Sequence, residues 1–122
     1  MLYPIVPCPK PRMTQRDRWK KRPCVLRYRA FKDQVRLRRV KLPQPCEVVF
    51  WIAMPASWSA EKKRAHEGMP HQQKPDLDNL VKALCDAVHG DDAHLWSIQA
   101  EKRWWCEGSI EVHPSAAQPI VP

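Results

Sequence analysis

Between Lys74 and Asp92 the sequence KPDLDNLVKALCDAVHGDD carries five acids, Asp76, Asp78, Asp86, Asp91 and Asp92. Asp76 and Asp78, with the adjacent pair Asp91 and Asp92 further on, are hard oxygen donors. They suit Mg²⁺, or Mn²⁺ in its place, in phosphoryl-transfer sites where water and substrate phosphate complete the shell. A metal held this way lowers the pKa of a bound water and neutralises charge on a phosphodiester. Lys82, one turn after Asp78, could donate to a non-bridging oxygen as charge builds there. The two acid pairs meet only if the chain after Gly90 folds back towards Asp76, or if the following strand passes beside it. Each piece also has a purely structural explanation. Acids are favoured at a helix N-terminus, Asp78 and Lys82 form an ordinary i, i+4 pair, and Gly-Asp-Asp is a common turn.

A helix must hold these groups. Leu77, Leu80, Val81, Leu84, Cys85 and Val88 follow the i, i+3, i+4, i+7 spacing of one buried stripe. Asp78, Lys82 and Asp86 fall beside the stripe on its wet edge. Pro75 and Asp76 are expected to start the helix, with Asp76 suited to cap it, and Gly90 to stop it.

The other segments read as supports for this one. Residues 2–8 suggest a short edge strand limited by Pro4 and Pro7. KPRMTQRDRWKKRP, residues 10–23, is a basic arm containing Trp19, suited either to solvent or to phosphates. Cys24 to Val40 reads as a helix with Cys24, Tyr28, Phe31 and Val35 on one arc and Arg29, Lys32, Arg36 and Arg39 on the next. CEVVFWIAM, residues 46–54, is a continuous apolar run, expected to be a central strand covered on both faces. Ser59 can cap a short helix AEKKRAH that Gly68 finishes, and residues 67–75 form the loop leading to Asp76. The alternation in AHLWSIQAEKRWW, with Trp96, Ile98, Ala100, Lys102 and Trp104 on one parity, predicts a long strand. A turn at Glu107-Gly108 would return Ser109–His113 as its hairpin partner. The order is that of an α+β domain, a small mixed sheet with helices packed on it.

Charge separates along the chain. Residues 10–41 hold 14 Lys/Arg against two acids, a net of +12, and the remainder holds seven against eleven, a net of −4. The first region suits a polyanion such as nucleic acid and the second a divalent cation. The basic contacts expected in the arm are Lys10, Arg12, Arg16, Arg18, Lys20, Lys21 and Arg22. Arg29, Lys32 and Arg36 would extend them along the helix, and Lys74 and Lys102 would add to them near the acids. The five cysteines are scattered with no Cys-x-x-Cys pair, so they read as reduced, mostly buried small hydrophobes. Cys85 and His89 lack a second ligand pair at zinc spacing. No apolar run reaches 18 residues and the proline-rich start does not suit a signal peptide, so an intracellular protein without a membrane partner is expected.

KPDLDNLVKALCDAV followed by DDAHLWSIQAEKRW resembles the RusA family of Holliday-junction resolvases, small bacterial and prophage-borne endonucleases. The upstream KPRMTQRDRWKKRP and RYRAFKDQVR are similar to the same family, so the resemblance spans roughly residues 5–112. Its specificity lies in Asp76-x-Asp78-Asn79-x-x-Lys82, then Asp-Asp, then Lys102 ten residues after the second aspartate. The resemblance implies a RusA-like fold and Mg²⁺-dependent resolution of four-way DNA junctions by a homodimer, through paired symmetric nicks and without a nucleotide cofactor. It implies Asp76, Asp78 and Asp92 as metal ligands and Lys82 as a catalytic group, in a protein of the bacterial cytoplasm. The interval His89-Gly90 is short for the family, which leaves open whether Asp91 or Asp92 completes the site. A twofold junction also suits a C2 dimer, which presents one site to each of two opposed strands.

These readings combine into one nuclease domain over residues 1–113, with its basic arm in 10–23 and a frayed tail at 114–122. The alternative is a non-catalytic junction-binding protein, a degenerate relic, whose basic helix and arm bind DNA and whose acids are structural caps.

Overall fold

A computed structural model describes residues 1–11, 22–89 and 95–115. The expected arm contacts Arg12, Arg16, Arg18, Lys20 and Lys21, the helix stop Gly90, both Asp91 and Asp92, and most of the expected frayed tail lie outside the described residues. The elements are β1 (Leu2–Tyr3), α1 (Pro23–Leu37), β2 (Cys46–Ala53), α2 (Ala60–His66), α3 (Leu77–His89), β3 (Ile98–Trp105) and β4 (Ser109–Pro114). Among the described residues the strands form one sheet in the order β1-β4-β2-β3. The β1–β4 and β4–β2 pairs are antiparallel, and β2–β3 is parallel from Cys46↔Ile98 to Ala53↔Trp105. This is a small α+β domain with a mixed sheet and packed helices.

The expected hairpin between β3 and β4 is not formed. Ser109–Pro114 pairs with β2 on one side and β1 on the other, and β2 lies between it and β3. Alternation reveals which residues share a face but not which strand lies alongside, and a short connection invites the wrong neighbour.

The continuous apolar run does form the second interior strand, yet it is not covered on both faces. Cys46, Val48 and Phe50 are buried, whereas Glu47 and Ala53 are exposed and Val49 and Trp51 half-buried. The second face carries only neighbouring side chains of the sheet itself, which shield it in part. Trp51 meets Trp105 edge to face with centroids 5.5 Å apart, and its Nε1–H donates to Glu111 Oε1 at 3.3 Å.

One core joins the inward faces of β2 and β4 to the stripes of α1 and α3. It is built around Phe31, Val35, Val48, Phe50, Leu80, Leu84 and Ile110. In α1 the buried set is Val25, Tyr28, Phe31 and Val35, with Cys24 only half-buried. The helix ends at Leu37, earlier than the expected Val40, because Arg39 takes a left-handed φ of 53°. The Arg39 N–H then reaches Arg36 O at 3.1 Å and the Val40 N–H reaches Val35 O at 3.2 Å. These two bonds close a Schellman-type end that returns Val40 to the core. For α2 the expectation holds: the Lys62 N–H donates to the capping Ser59 Oγ at 3.1 Å, and Gly68 turns the chain with φ 78°.

Candidate functional site

The α3 stripe is buried at Leu80, Ala83, Leu84, Cys85 and Ala87, with Leu77, Val81 and Val88 packed against the core. Burying that stripe against α1 and the sheet leaves the row of Asp78 and Lys82 facing outwards. Their side chains are 70 % and 61 % exposed, with Lys82 Nζ 3.8 Å from Asp78 Oδ2. Leu77 opens the helix. Asp76 sits one residue before it, where its carbonyl accepts from the Leu80 N–H at 3.2 Å. Its carboxylate is 52 % exposed and stands 3.6 Å from Lys74 Nζ. Asp76 and Asp78 thus flank the first helical residue, each beside one lysine.

Residues 9–11 form the opposite wall. The Lys10 N–H donates to Asn79 O at 3.3 Å, and Lys10 Nζ reaches Asp86 Oδ2 at 2.5 Å. Two adjoining clefts share Lys10 and Asn79, one bounded also by Lys74, Pro75 and Asp76 and the other by Pro11 and Lys82. Together they make a groove across the first turn of α3, edged by three lysines.

The third member of the outward row behaves differently. Asp86 is 28 % exposed and also accepts from the Tyr28 hydroxyl at 3.1 Å. Burial alone would raise its carboxyl, but hydrogen bonds from Lys10 and Tyr28 and the charges of Lys10 and Lys32 outweigh this and hold it low. Burial and the neighbouring Asp86 push the Tyr28 hydroxyl up. Lys32 Nζ lies 5.3 Å from the Tyr28 ring centroid, so this expected DNA contact also leans on the same cluster. The sequence showed Asp86 on the right row, but its partners lie 58 and 76 residues away, at Tyr28 and Lys10.

The loop into Asp76 is bound along the free edge of β3. The Gly68 N–H donates to Trp104 O at 2.9 Å, the Trp104 N–H to Met69 O at 3.0 Å and the His71 N–H to Lys102 O at 3.0 Å. His71 is buried, its ring 4.2 Å from that of Trp104, and its Nδ1 has no hydrogen-bond partner in the structure. Burial, then the charge of Lys102, holds its imidazole below the ordinary value. Sequence reasoning missed His71, which carries no signal beyond being one of five scattered histidines.

Of the predicted site residues, Lys10, Lys74, Asp76 and Lys82 line one groove, and Asp78 stands next to it, paired with Lys82. Arg29 and Arg36 are exposed on α1, away from the stripe it buries. Lys102 turns to backbone carbonyls, donating to Pro75 O at 2.7 Å and also to Gln73 O. Among the described residues no three of His, Cys, Asp and Glu come together as a metal cage. Two exposed carboxylates nevertheless fit part of an all-oxygen donor set for a hard divalent cation.

A family model described as Endodeoxyribonuclease RusA matches residues 4–113. No curated protein and no solved structure matches the chain.

Proposed function

The chain belongs to the RusA family of endodeoxyribonucleases, and on that premise we propose that it resolves four-way DNA junctions by Mg²⁺-dependent, paired phosphodiester hydrolysis. Family membership supports a nuclease of the Holliday-junction resolvase kind. The proposal extends this to residues 1–113 as the nuclease domain, working as a homodimer in the bacterial cytoplasm, from a chromosomal or prophage gene. The observation that carries it is the pair Asp76 and Asp78, exposed on either side of Leu77, the first lining a lysine-edged groove and the second beside Lys82 at its edge.

In this reading Asp76 and Asp78 hold the cation with Asp92, or with Asp91 in its place. The ion supplies an acidified water and charge neutralisation at the scissile phosphate. Lys82, half out in solvent beside Asp78, is free to swing its ammonium from that carboxylate to a non-bridging oxygen. There it stabilises charge that develops only as the bond breaks. Lys74 and Lys10, at the groove edges, attract the backbone, and the exposed arginines of α1 extend the basic track.

A synthetic four-way junction incubated with the protein and Mg²⁺ should acquire paired nicks near the crossover. Asp78→Asn should cut more than about 100-fold more slowly, since several kcal/mol of charge stabilisation are lost, while still binding the junction. The opposing reading takes its support from the Asp78–Lys82 and Asp76–Lys74 pairs, which give both acids a structural use. A folded wild-type protein that binds the junction and cuts it with neither Mg²⁺ nor Mn²⁺ would establish that reading instead.

A further inference from the structure

Lys102 lies mid-strand in β3, and its ammonium is committed to the protein's own backbone. It donates to Pro75 O at 2.7 Å and to Gln73 O. Both acceptors belong to the connection that ends at Asp76, and Pro75 directly precedes that residue. Upstream, the same connection is laced to β3 by the Gly68, Met69 and His71 backbone bonds and by Arg103, whose guanidinium donates to Gly68 O at 2.8 Å. The backbone lacing stops at His71. From there to the helix start, among the described residues, the hydrogen bonds to β3 come from the Lys102 side chain. Two of its three N–H donors converge on carbonyls two residues apart, a geometry a compact ammonium can meet and a planar guanidinium fork meets poorly.

We propose that Lys102 is a positioning residue: by binding the Gln73 and Pro75 carbonyls it fixes the backbone entering α3, and with it the placement of the Asp76 carboxylate beside Asp78. This rests on the proposed nuclease reading only for what Asp76 does once placed. It differs from the expectation that Lys102 contacts DNA, because an ammonium held by two carbonyls has little left for a phosphate. The ladder between Gly68 and His71 anchors the loop independently of Lys102, so the fold should survive its loss with only the last residues before α3 set loose.

Two variants of the full chain decide the matter. Lys102→Met keeps the aliphatic stem and removes the ammonium. Lys102→Arg keeps a charge that can serve a phosphate but not the two carbonyls. In the metal-free, DNA-free protein, Lys102→Met should speed amide hydrogen exchange at residues 76–80 and leave exchange in β2 unchanged. In single-turnover cleavage at saturating junction both variants should fall, Lys102→Met by about 100-fold as expected for a misplaced reacting group. The Mg²⁺ concentration for half-maximal rate should rise. Junction affinity, and its slope against log salt concentration, should stay at the wild-type value. A slope reduced by about 1 in Lys102→Met, full cleavage by Lys102→Arg and unchanged exchange would make Lys102 a phosphate contact and overturn the proposal. If the wild type does not cut, the nuclease reading falls, and the exchange and salt measurements still decide the role of Lys102.

Discussion

Asp78, Lys82 and Asp86 share one row of α3 at successive turns, yet the first two pair loosely in solvent with each other. Asp86 is locked by Lys10 and Tyr28, so the acid furthest from Asp76 holds the groove wall in place. Its folded carboxyl lies below the ordinary value of 3.8, so the unfolded chain binds the proton more readily. The stabilisation is therefore complete above 3.8 and is lost as pH falls through the folded value. Asp86→Asn should cost about 1 kcal/mol near neutral pH, a modest figure because Lys10 is 41 % exposed. Urea melts at about pH 7 and about pH 3 should show the full cost at the first and a smaller one at the second, which lies below the ordinary carboxyl value of 3.8. An equal cost at both would remove the ion pair as its source.

At the scale of elements, the end of α1 holds a local conflict. Arg39 occupies a left-handed position at φ 53°, which costs an L-residue about 1–2 kcal/mol. Glycine would escape that cost but lose about 0.4–1 kcal/mol through its freer unfolded chain. Arg39→Gly should therefore raise stability by about 0.5 kcal/mol, seen as a higher urea midpoint at unchanged slope; a lower midpoint would refute the strain. The sequence made the stripe of α3 and the cap and closing turn of α2 legible because each acts within one turn of the residues that reveal it. It also marked Asp76, Asp78, Lys74 and Lys82 as neighbours. The pairing of β4 with β2 and the docking of Gly68–His71 on β3 were not legible, because both are made by backbone groups that every residue carries. For the same reason nothing in the sequence tied Lys10 to Asn79 or turned Lys102 away from solvent.

At the scale of the molecule, the charge division of the sequence becomes a spatial one. The exposed arginines of α1 and the lysines at the groove lie on the helical side of the domain. Glu47, Glu101 and Glu111 share the opposite face of the sheet. Arg103 sits 2.6 Å from Glu101 on that face, which offsets one of the three glutamates and leaves the face net acidic. Under the proposed function a duplex is expected to approach from the side of the α1 arginines.

The strand pairings also dictate an order of assembly. Leu2 pairs with Glu111 and Cys46 with Ile98, so β1 joins a sheet whose other contacts close shorter spans. Closure entropy grows with span, and the longest pairing is favoured to form last. Residues 4–11 follow β1 directly, which makes the Lys10 wall of the groove a late arrival. During refolding, pulsed hydrogen exchange should protect the Met54 amide, bonded to Trp105, before the Lys10 amide, bonded to Asn79; simultaneous protection would contradict this sequence of events. A nascent chain would then have its carboxylates in place before the wall that shapes their substrate, and competence to act on DNA would come only with the final docking step.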